Sequence, residues 1–267
     1  MCVWKTAMGA SDDTRLVSGA PAKRAGPRFT VVTATFNVAA VLPDLIASLQ
    51  AQTDPDFEWV VADGASTDDT LMYLEEAART LDVRVDSRRD FGIYDALNRA
   101  IRMARGQYYL VVGADDQLDP NAIRYFREAC ARTGADLVAA VACSGKQRIQ
   151  VRKRPWEWLY AELAYVGNHS VSLAIRTALH ERYGYYSNQY PIAADSLFLL
   201  QAIRGGAQVA NEPFVAGVFS QAGASGANAL GVMSEKCRIL IALGHNRFLQ
   251  LLLFATRFIV HYRKMGR

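Results

Sequence analysis

Residues 88–120 read RRDFGIYDALNRAIRMARGQYYLVVGADDQLDP and contain a helix, a strand and an acidic turn in succession. A helix is predicted over 94–105, and Gly106 is interpreted as its stop signal because glycine is common where helices end. The apolar run at 108–112 predicts a strand that is buried on both faces, and the acidic turn at 113–116 follows its carboxyl end. This order of elements is typical of α/β proteins.

The same alternation continues on both sides of this stretch. Before it, strands are predicted at 29–33, 57–62 and 83–85, with helices after Asn37 and at 68–80. After it, a helix is predicted at 120–132 and a strand at 136–142. Beyond Gln147 the pattern weakens, with strands at 168–174 and 207–219 and a helix at 194–203. Strands that alternate with helices predict an α/β fold with a mostly parallel central sheet flanked by helices.

Acidic residues follow two of these strands. Asp63 follows the strand at 57–62, and Asp115 and Asp116 follow the strand at 108–112. Because ligands of such sheets bind outside the carboxyl ends of the strands, we expect these side chains at one ligand site. Mg²⁺ and Mn²⁺ take carboxylate oxygens and often share them with substrate phosphates. The turn therefore predicts a metal-bound diphosphate, with an ordinary turn and a helix-capping aspartate as the alternative.

The composition is that of a globular protein. Hydrophobic residues make up 51% and charged residues 21% of the 267 positions, so disorder over most of the chain is not expected. The four cysteines are widely scattered, which argues against a disulfide framework or a zinc site and favours a reducing compartment. The sequence has neither a GxGxxG nor a GxxxxGK[ST] motif, so a dinucleotide oxidoreductase or P-loop ATPase has no support. Residues 1–28 lack the apolar run of a signal peptide and are predicted to form a disordered cytoplasmic tail.

The end of the chain is basic and amphipathic. Seven Lys and Arg residues and no acidic residue lie between Lys236 and Arg267, although the net charge of the whole chain is only +4. No stretch of about 18 residues in this segment is free of charge, so a membrane-spanning helix is not predicted. The pattern favours a helix on an anionic membrane surface, with packing on the protein's own core as the alternative. Nucleic-acid binding is not favoured because the segment is too apolar. The residues on the apolar helical face are Phe248, Leu251, Leu252, Ala255, Phe258, Ile259 and Tyr262.

Three stretches together carry a family resemblance: FTVVTATFN at 29–37, FEWVVADGASTDDT at 57–70, and the stretch at 88–120. Over residues 29–225 the chain resembles the family 2 glycosyltransferases, most closely the bacterial exopolysaccharide and colanic-acid-type subgroup. The resemblance implies a GT-A fold with a nucleotide-binding half at 29–120 and an acceptor half at 121–225. Residues 226–267 would then form a basic amphipathic helical extension.

Position by position, the resemblance implies how a nucleotide-sugar donor is held. Asp63 would accept a hydrogen bond from a ring N–H of the base. The residues implied to contact the base and ribose are Thr33, Thr35 and Asp63. The residues implied near the uridine and the diphosphate are Arg89, Asp90, Tyr94 and Asn98.

The resemblance also implies the reactive part of the site. Asp115, with Asp116 beside it, matches the metal-binding motif, so the implied cofactor is Mn²⁺ or Mg²⁺. Asp195 matches the catalytic base, with a helix-terminal aspartate as the alternative interpretation. His169 matches a histidine that precedes the base in this subgroup, with an ordinary buried histidine as the alternative.

The activity implied is the inverting transfer of a hexosyl or N-acetylhexosaminyl group from a UDP-sugar to a lipid-linked or polysaccharide acceptor. The implied setting is cell-surface polysaccharide synthesis, on the inner face of the cytoplasmic membrane. The Q-x-x-R-W motif of processive synthases is absent, which favours one sugar per encounter. Gly113 replaces the first aspartate of the metal motif, and Ala194 stands where many relatives have glutamate. These departures leave a catalytically inactive GT-A-like membrane scaffold as the alternative.

Overall fold

The computed structural model describes residues 28–145, 147–149, 169–220 and 228–265. The N-terminal tail predicted from the sequence lies outside these residues, apart from Arg28. The strands are β1 (Phe29–Thr35), β2 (Phe57–Asp63), β3 (Val83–Ser87), β4 (Tyr108–Val111), β5 (Gln117–Leu118), β6 (Leu137–Ser144), β7 (Gln147–Ile149), β8 (Leu173–Arg176) and β9 (Val209–Val218). The helices are α1 (Leu42–Gln50), α2 (Thr70–Ala77), α3 (Ile93–Met103), α4 (Ala122–Thr133), α5 (Leu179–Tyr183), α6 (Ala194–Arg204), α7 (Ala229–Ala242) and α8 (Arg247–Met265).

The strands form one mixed sheet in the order β3-β2-β1-β4-β8-β6-β9-β5, with β7 paired to β6. The strands β3, β2, β1 and β4 are all parallel, as expected where a helix connects each strand to the next. Beyond β4 the pairs β4–β8, β6–β8, β6–β7 and β5–β9 are antiparallel, while β6–β9 is parallel. The predicted parallel arrangement therefore holds for the first half of the sheet, and the second half is mixed.

Helices cover both faces of this sheet. On β2 the side chain of Trp59 packs into one hydrophobic cluster, and that of its neighbour Val60 packs into the other, because successive residues of a strand point to opposite faces. Helices α1, α2 and α4 contribute to the first cluster, and α3, α6 and α7 contribute to the second. The result is a three-layer α/β/α body whose parallel strands all end at the same edge.

The predicted helical extension divides into two helices with different surroundings. Helix α7 places Ile239 and Leu240 in the second hydrophobic cluster, so it belongs to the body of the fold and is not a separate tail. Helix α8 contacts α7 through Gln250, which lies on its polar face and is only 3% exposed. No helix in the described ranges is long and apolar enough to cross a membrane. The predicted apolar face of α8, called the α8 stripe below, is exposed at Phe248, Leu251, Leu252, Ala255, Phe258, Ile259 and Tyr262.

Gly106 has a different role from the predicted helix stop. Helix α3 ends at Met103 with an extended residue after it, so no left-handed glycine is needed there. Instead, Gly106 lies directly against β1. A Cβ at this position would lie 2.6 Å from Thr30 Oγ1 and 2.7 Å from the Thr30 backbone nitrogen. The glycine is required because two backbone segments approach closely.

Gly106→Ala is therefore expected to lower the free energy of unfolding by about 1–3 kcal/mol, the usual cost of forcing extra volume into a packed interior. Urea denaturation of the purified protein measures this effect. Arg105→Ala is the matched control, since Arg105 is exposed and adjacent. Equal denaturation midpoints for Gly106→Ala and the control would contradict the close-approach explanation.

Candidate active site

Asp63 joins the carboxyl ends of three parallel strands. Its fully buried carboxylate accepts hydrogen bonds from Thr35 Oγ1 at 3.0 Å, from Ser87 Oγ at 2.7 Å and from both the hydroxyl and the backbone N–H of Ser66. The structure thus brings Thr35 and Asp63 together, as predicted. Since each carboxylate oxygen already accepts two hydrogen bonds, a ring N–H that binds Asp63 must replace one of these donors.

Thr33 lies in the core and not at the sheet edge. Its side chain is fully buried, and its hydroxyl accepts a hydrogen bond from the indole N–H of Trp59 at 2.9 Å. Thr33 is two positions before the end of β1, so its side chain points to the same face of the sheet as that of Thr35 but lies further from the sheet edge. The structure therefore gives no support to the predicted contact between Thr33 and the nucleotide.

The loop after β3 is fixed by Arg99, a residue that the sequence did not indicate. The buried guanidinium of Arg99 donates to Asp86 Oδ2 at 2.9 Å and to the backbone carbonyls of Asp63 and Arg88, both at 3.2 Å. It also lies 3.7 Å from Asp90 Oδ2. Arg99 therefore holds Asp90 beside the end of β2.

Exposed side chains surround Asp90 and the end of β2. Arg89 is exposed, as a contact to a diphosphate would require. Phe36 is 61% exposed and lies next to Gly64, where a Cβ would also meet Asp90 Oδ2 at 2.8 Å. The exposed ring of Phe36 is therefore an apolar surface that lies close to the carboxylate of Asp90. Phe36 was not among the residues predicted from the sequence.

Tyr94 and Asn98, which the resemblance placed near the nucleotide, contact the second half of the fold. The hydroxyl of Tyr94 lies 2.9 Å from Asp195 Oδ1 and 3.0 Å from the carbonyl oxygen of Ile192, and it donates to one of them. Burial and the Asp195 carboxylate raise the pKa of Tyr94, so the phenol keeps its proton. Asn98 exchanges two hydrogen bonds with the backbone of Tyr186, at 2.8 and 2.9 Å. Both residues fix the segment that leads to Asp195.

The two aspartates after β4 differ in their surroundings. Asp116 is 2% exposed, and its carboxylate accepts hydrogen bonds from the backbone N–H groups of Gly113 at 3.0 Å and Ser220 at 3.3 Å. Burial raises the pKa of Asp116 to about 6, against the effect of the Gly113 hydrogen bond. Asp115 is half-buried and accepts no hydrogen bond from the residues that the structure describes. Asp115 is thus the carboxylate that is available to a ligand.

The residues present suit a metal ion that shares its ligands with a substrate. The described ranges contain no group of three or more His, Cys, Asp or Glu side chains arranged to hold a metal. Mg²⁺ and Mn²⁺ are commonly held by one or two carboxylates, with phosphate oxygens and water completing the shell, and Asp115 fits this role. A Cβ at Gly113 would lie 3.0 Å from Asp115 Oδ1 and 3.0 Å from Asp116 Oδ2. An aspartate at this position, as in the family's metal motif, would therefore require both carboxylates to move by a few tenths of an ångström.

His169 lies beside the aspartates after β4, with its Nδ1 3.9 Å from Asp116 Oδ2. Its ring stacks on Phe219 with the centroids 4.0 Å apart, and its Nδ1 accepts from the backbone N–H of Val171 at 3.4 Å. Neutral His169 therefore carries its proton on Nε2, which remains a donor. Burial lowers the pKa of His169, while the carboxylates of Asp115 and Asp195 act in the opposite direction.

Asp195 lies in the first turn of helix α6. Its Oδ1 accepts from the backbone N–H of Ser196 at 2.7 Å and lies within hydrogen-bonding distance of Tyr94. In the part of the chain that the structure describes, Oδ2 has no hydrogen-bond partner. One oxygen is thus held in place, and the other can accept a proton from a ligand.

The sequence profile described as Glycosyl transferase family 2 matches residues 30–201. This chain belongs to that family. The matched residues include both Asp115 and Asp195. The family resemblance based on the motifs at 29–37, 57–70 and 88–120 is thereby confirmed, while the exopolysaccharide and colanic-acid-type subgroup stays a prediction.

A shorter part of this family 2 chain matches individual curated relatives. The PGL/p-HBAD biosynthesis glycosyltransferase of Mycobacterium tuberculosis is 46% identical over 96 residues. This match covers 35% of the present chain and 38% of that relative, so the chain matches well under half of the relative's length.

Two solved structures share the fold of this family 2 chain. S. aureus TarS in complex with UDP-GlcNAc has a TM-score of 0.65 at 19% identity, covering 84% of this chain and 69% of that one. The mannosyltransferase PcManGT from Pyrobaculum calidifontis, in complex with GDP-Man and Mn²⁺, has a TM-score of 0.66 at 22% identity, covering 85% and 67%. At such low identity these likenesses bear on the fold alone, and they confirm the predicted GT-A architecture.

Proposed function

We propose that this family 2 chain transfers a sugar from a UDP-sugar to a saccharide acceptor, with inversion at the anomeric carbon. The observation that carries the proposal is the half-buried Asp115 after the carboxyl end of β4, next to Asp116, whose Oδ2 lies 3.9 Å from His169 Nδ1. Family membership supports the reaction class. The nucleotide sugars bound to TarS and PcManGT support a nucleotide-diphosphate donor.

The chemistry divides between the two halves of the fold. When Mn²⁺ or Mg²⁺ is bound, it neutralises the charge that develops on the departing diphosphate, and Asp115 is the residue that would hold it. Asp195 accepts the proton of the attacking hydroxyl through Oδ2, which has no hydrogen-bond partner among the described residues, while Tyr94 contacts Oδ1. A base on the face of the sugar opposite the leaving group gives inversion. His169 can donate from Nε2 to an oxygen of a bound ligand.

Donor binding is the first test of this proposal. Isothermal titration with UDP-, GDP- and dTDP-sugars, each with and without Mn²⁺, is expected to give metal-dependent binding that is strongest for a UDP-sugar. Hydrolysis of the bound donor in the absence of an acceptor would support an enzyme over the inactive scaffold. Failure to bind any nucleotide would contradict the proposed function and favour the scaffold.

The proposal includes a lipid-linked or polysaccharide acceptor reached from an anionic membrane surface on the cytoplasmic side. The support is the α8 stripe, which is exposed while the opposite, polar face contacts α7 at Gln250. A helix stabilised by the protein's own core has the reverse orientation, with its apolar face buried. The seven Lys and Arg residues between Lys236 and Arg267 complement anionic lipid headgroups.

Replacing two stripe residues, Leu252→Asp with Ile259→Asp, is expected to abolish sedimentation with vesicles that contain anionic lipid, and to leave UDP binding unchanged. Each basic residue near such a surface contributes about 1 kcal/mol and is screened by salt, so high salt should release only part of the unmodified protein. The control Ser234→Asp with Thr256→Asp adds the same charge at exposed positions outside the stripe. Equal vesicle binding by both double variants would exclude the stripe as the membrane contact.

A further inference from the structure

Helix α7 supplies a buried carboxylate to the segment that precedes Asp195. Glu235 is 6% exposed, and its Oε2 accepts hydrogen bonds from the backbone N–H groups of Ile192 at 2.9 Å and Ala193 at 2.8 Å. Glu235 lies more than forty positions along the chain from both donors, so neither the helical pattern nor the family motifs indicated it.

Two further contacts place α7 along the same segment. The guanidinium of Arg238 lies over the ring of Tyr190, 5.2 Å from its centroid. One turn before Glu235, a Cβ at Gly231 would lie 2.5 Å from Ile192 Cδ1, so the helix approaches this side chain closely. Positions 231, 235 and 238 are spaced by four and three residues and therefore share one face of the helix.

The other end of helix α6 is also attached to α7. Arg204, the last residue of α6, donates to the carbonyl oxygen of Leu243 at 2.6 Å and contacts His245 Nε2 at 2.5 Å. Both residues lie in the turn that follows α7. Helix α6, which begins with the Asp195 segment, is thus held at its two ends by α7 and the following turn.

Glu235 holds the two backbone N–H groups that come directly before α6. The N-cap residue is Ala193, which has no side-chain group to accept a hydrogen bond from the free N–H groups of the first turn. The neighbouring Ile192 is held from both sides, because its N–H donates to Glu235 and its carbonyl oxygen lies 3.0 Å from the Tyr94 hydroxyl. That same hydroxyl contacts Asp195. A continuous chain of contacts therefore runs from Glu235 to the proposed base.

We infer that Glu235 is a positioning residue for Asp195, and that α7 is part of the catalytic unit. The inference rests on the proposed function of Asp195 as a base. Glu235 does not touch the donor or the acceptor hydroxyl. It fixes the backbone at 192–193, and through this backbone and Tyr94 it fixes the direction of the Asp195 carboxylate.

The test compares Glu235→Ala with Glu235→Gln in the full chain. Glu235→Ala is expected to lower kcat by a factor on the order of 10², the effect of misplacing a reacting group by about 1 Å, while the Kd for UDP stays unchanged. Glu235→Gln is expected to restore most of the turnover, because a side-chain amide oxygen can accept from both N–H groups. Ser234→Ala is the matched control, since Ser234 is the exposed neighbour on the same helix.

Two results would overturn the inference. One is wild-type kcat in Glu235→Ala. The other is a parallel loss of UDP affinity, turnover and thermal stability in both Glu235 variants, which would make Glu235 a general support of the fold. Amide hydrogen exchange at 192 and 193 gives a readout that does not require activity. Faster exchange in Glu235→Ala than in Glu235→Gln supports the positioning contact even if the chain transfers no sugar, whereas equal exchange contradicts it.

Discussion

Asp195→Asn is expected to lower turnover by a factor on the order of 10² to 10⁴ and to leave donor binding intact. An amide cannot take the proton of the acceptor hydroxyl, but it keeps the size of the side chain and an oxygen that can accept from Ser196 and Tyr94. Single-turnover kinetics with saturating donor, together with a separate titration of UDP, measure the two effects independently.

The control for this variant is Asp44→Asn, which makes the same chemical change at an exposed position of α1. If donor affinity collapses in Asp195→Asn while turnover survives, Asp195 is a binding or structural residue. The base must then be sought elsewhere.

Asp115→Asn is expected to abolish most transfer and to weaken UDP binding in Mn²⁺, without a change in the urea denaturation midpoint. Asp115 is half-buried and makes no hydrogen bond with the described residues, so its charge contributes more to a bound cation than to the fold. UDP titrations across a range of Mn²⁺ concentrations measure the effect. Equal activity of wild type and variant at every metal concentration would contradict the metal assignment.

Asp116→Asn tests whether the two adjacent aspartates have separate roles. Its Oδ2 accepts from the backbone N–H of Gly113 and its Oδ1 from that of Ser220, so an amide keeps only one of these hydrogen bonds. Because both partners belong to the protein's own backbone, the variant is expected to lower the urea denaturation midpoint and to keep metal-dependent UDP binding. If Asp116→Asn loses metal dependence to the same extent as Asp115→Asn, both carboxylates bind the ion. The turn would then have to open on metal binding, since Asp116 is buried in the structure.

The local part of the fold follows from the sequence because its signals are local. The apolar run before Asp115 and the helix-opening Pro43 fix single elements, and neighbouring residues suffice to interpret them. The position of Asp63 and Asp115 at one sheet edge follows from parallel pairing, which the alternation of strands and helices predicts. The short strands β5 and β7 carry too few residues to produce a pattern and were not predicted.

The arrangement of the site depends on contacts between distant parts of the chain. Tyr94 and Asn98 were assigned to the nucleotide because of where they stand in the sequence, yet their partners are Asp195 and the backbone of Tyr186, 101 and 88 positions away. Glu235 was not indicated at all, because an acidic residue on a helix has no sequence feature that shows which backbone N–H it will meet.

The sequence by itself determined the family, the α/β class and the two acidic strand ends, since periodicity, turn residues and motif spacing are all properties of neighbouring residues. Only the tertiary structure decided which of the adjacent aspartates stays open to a ligand, which helix holds the Asp195 segment, and which face of α8 is exposed. The reason is that the burial of a side chain and its hydrogen-bond partners depend on which elements pack against each other. A sequence pattern within one element does not predict these contacts.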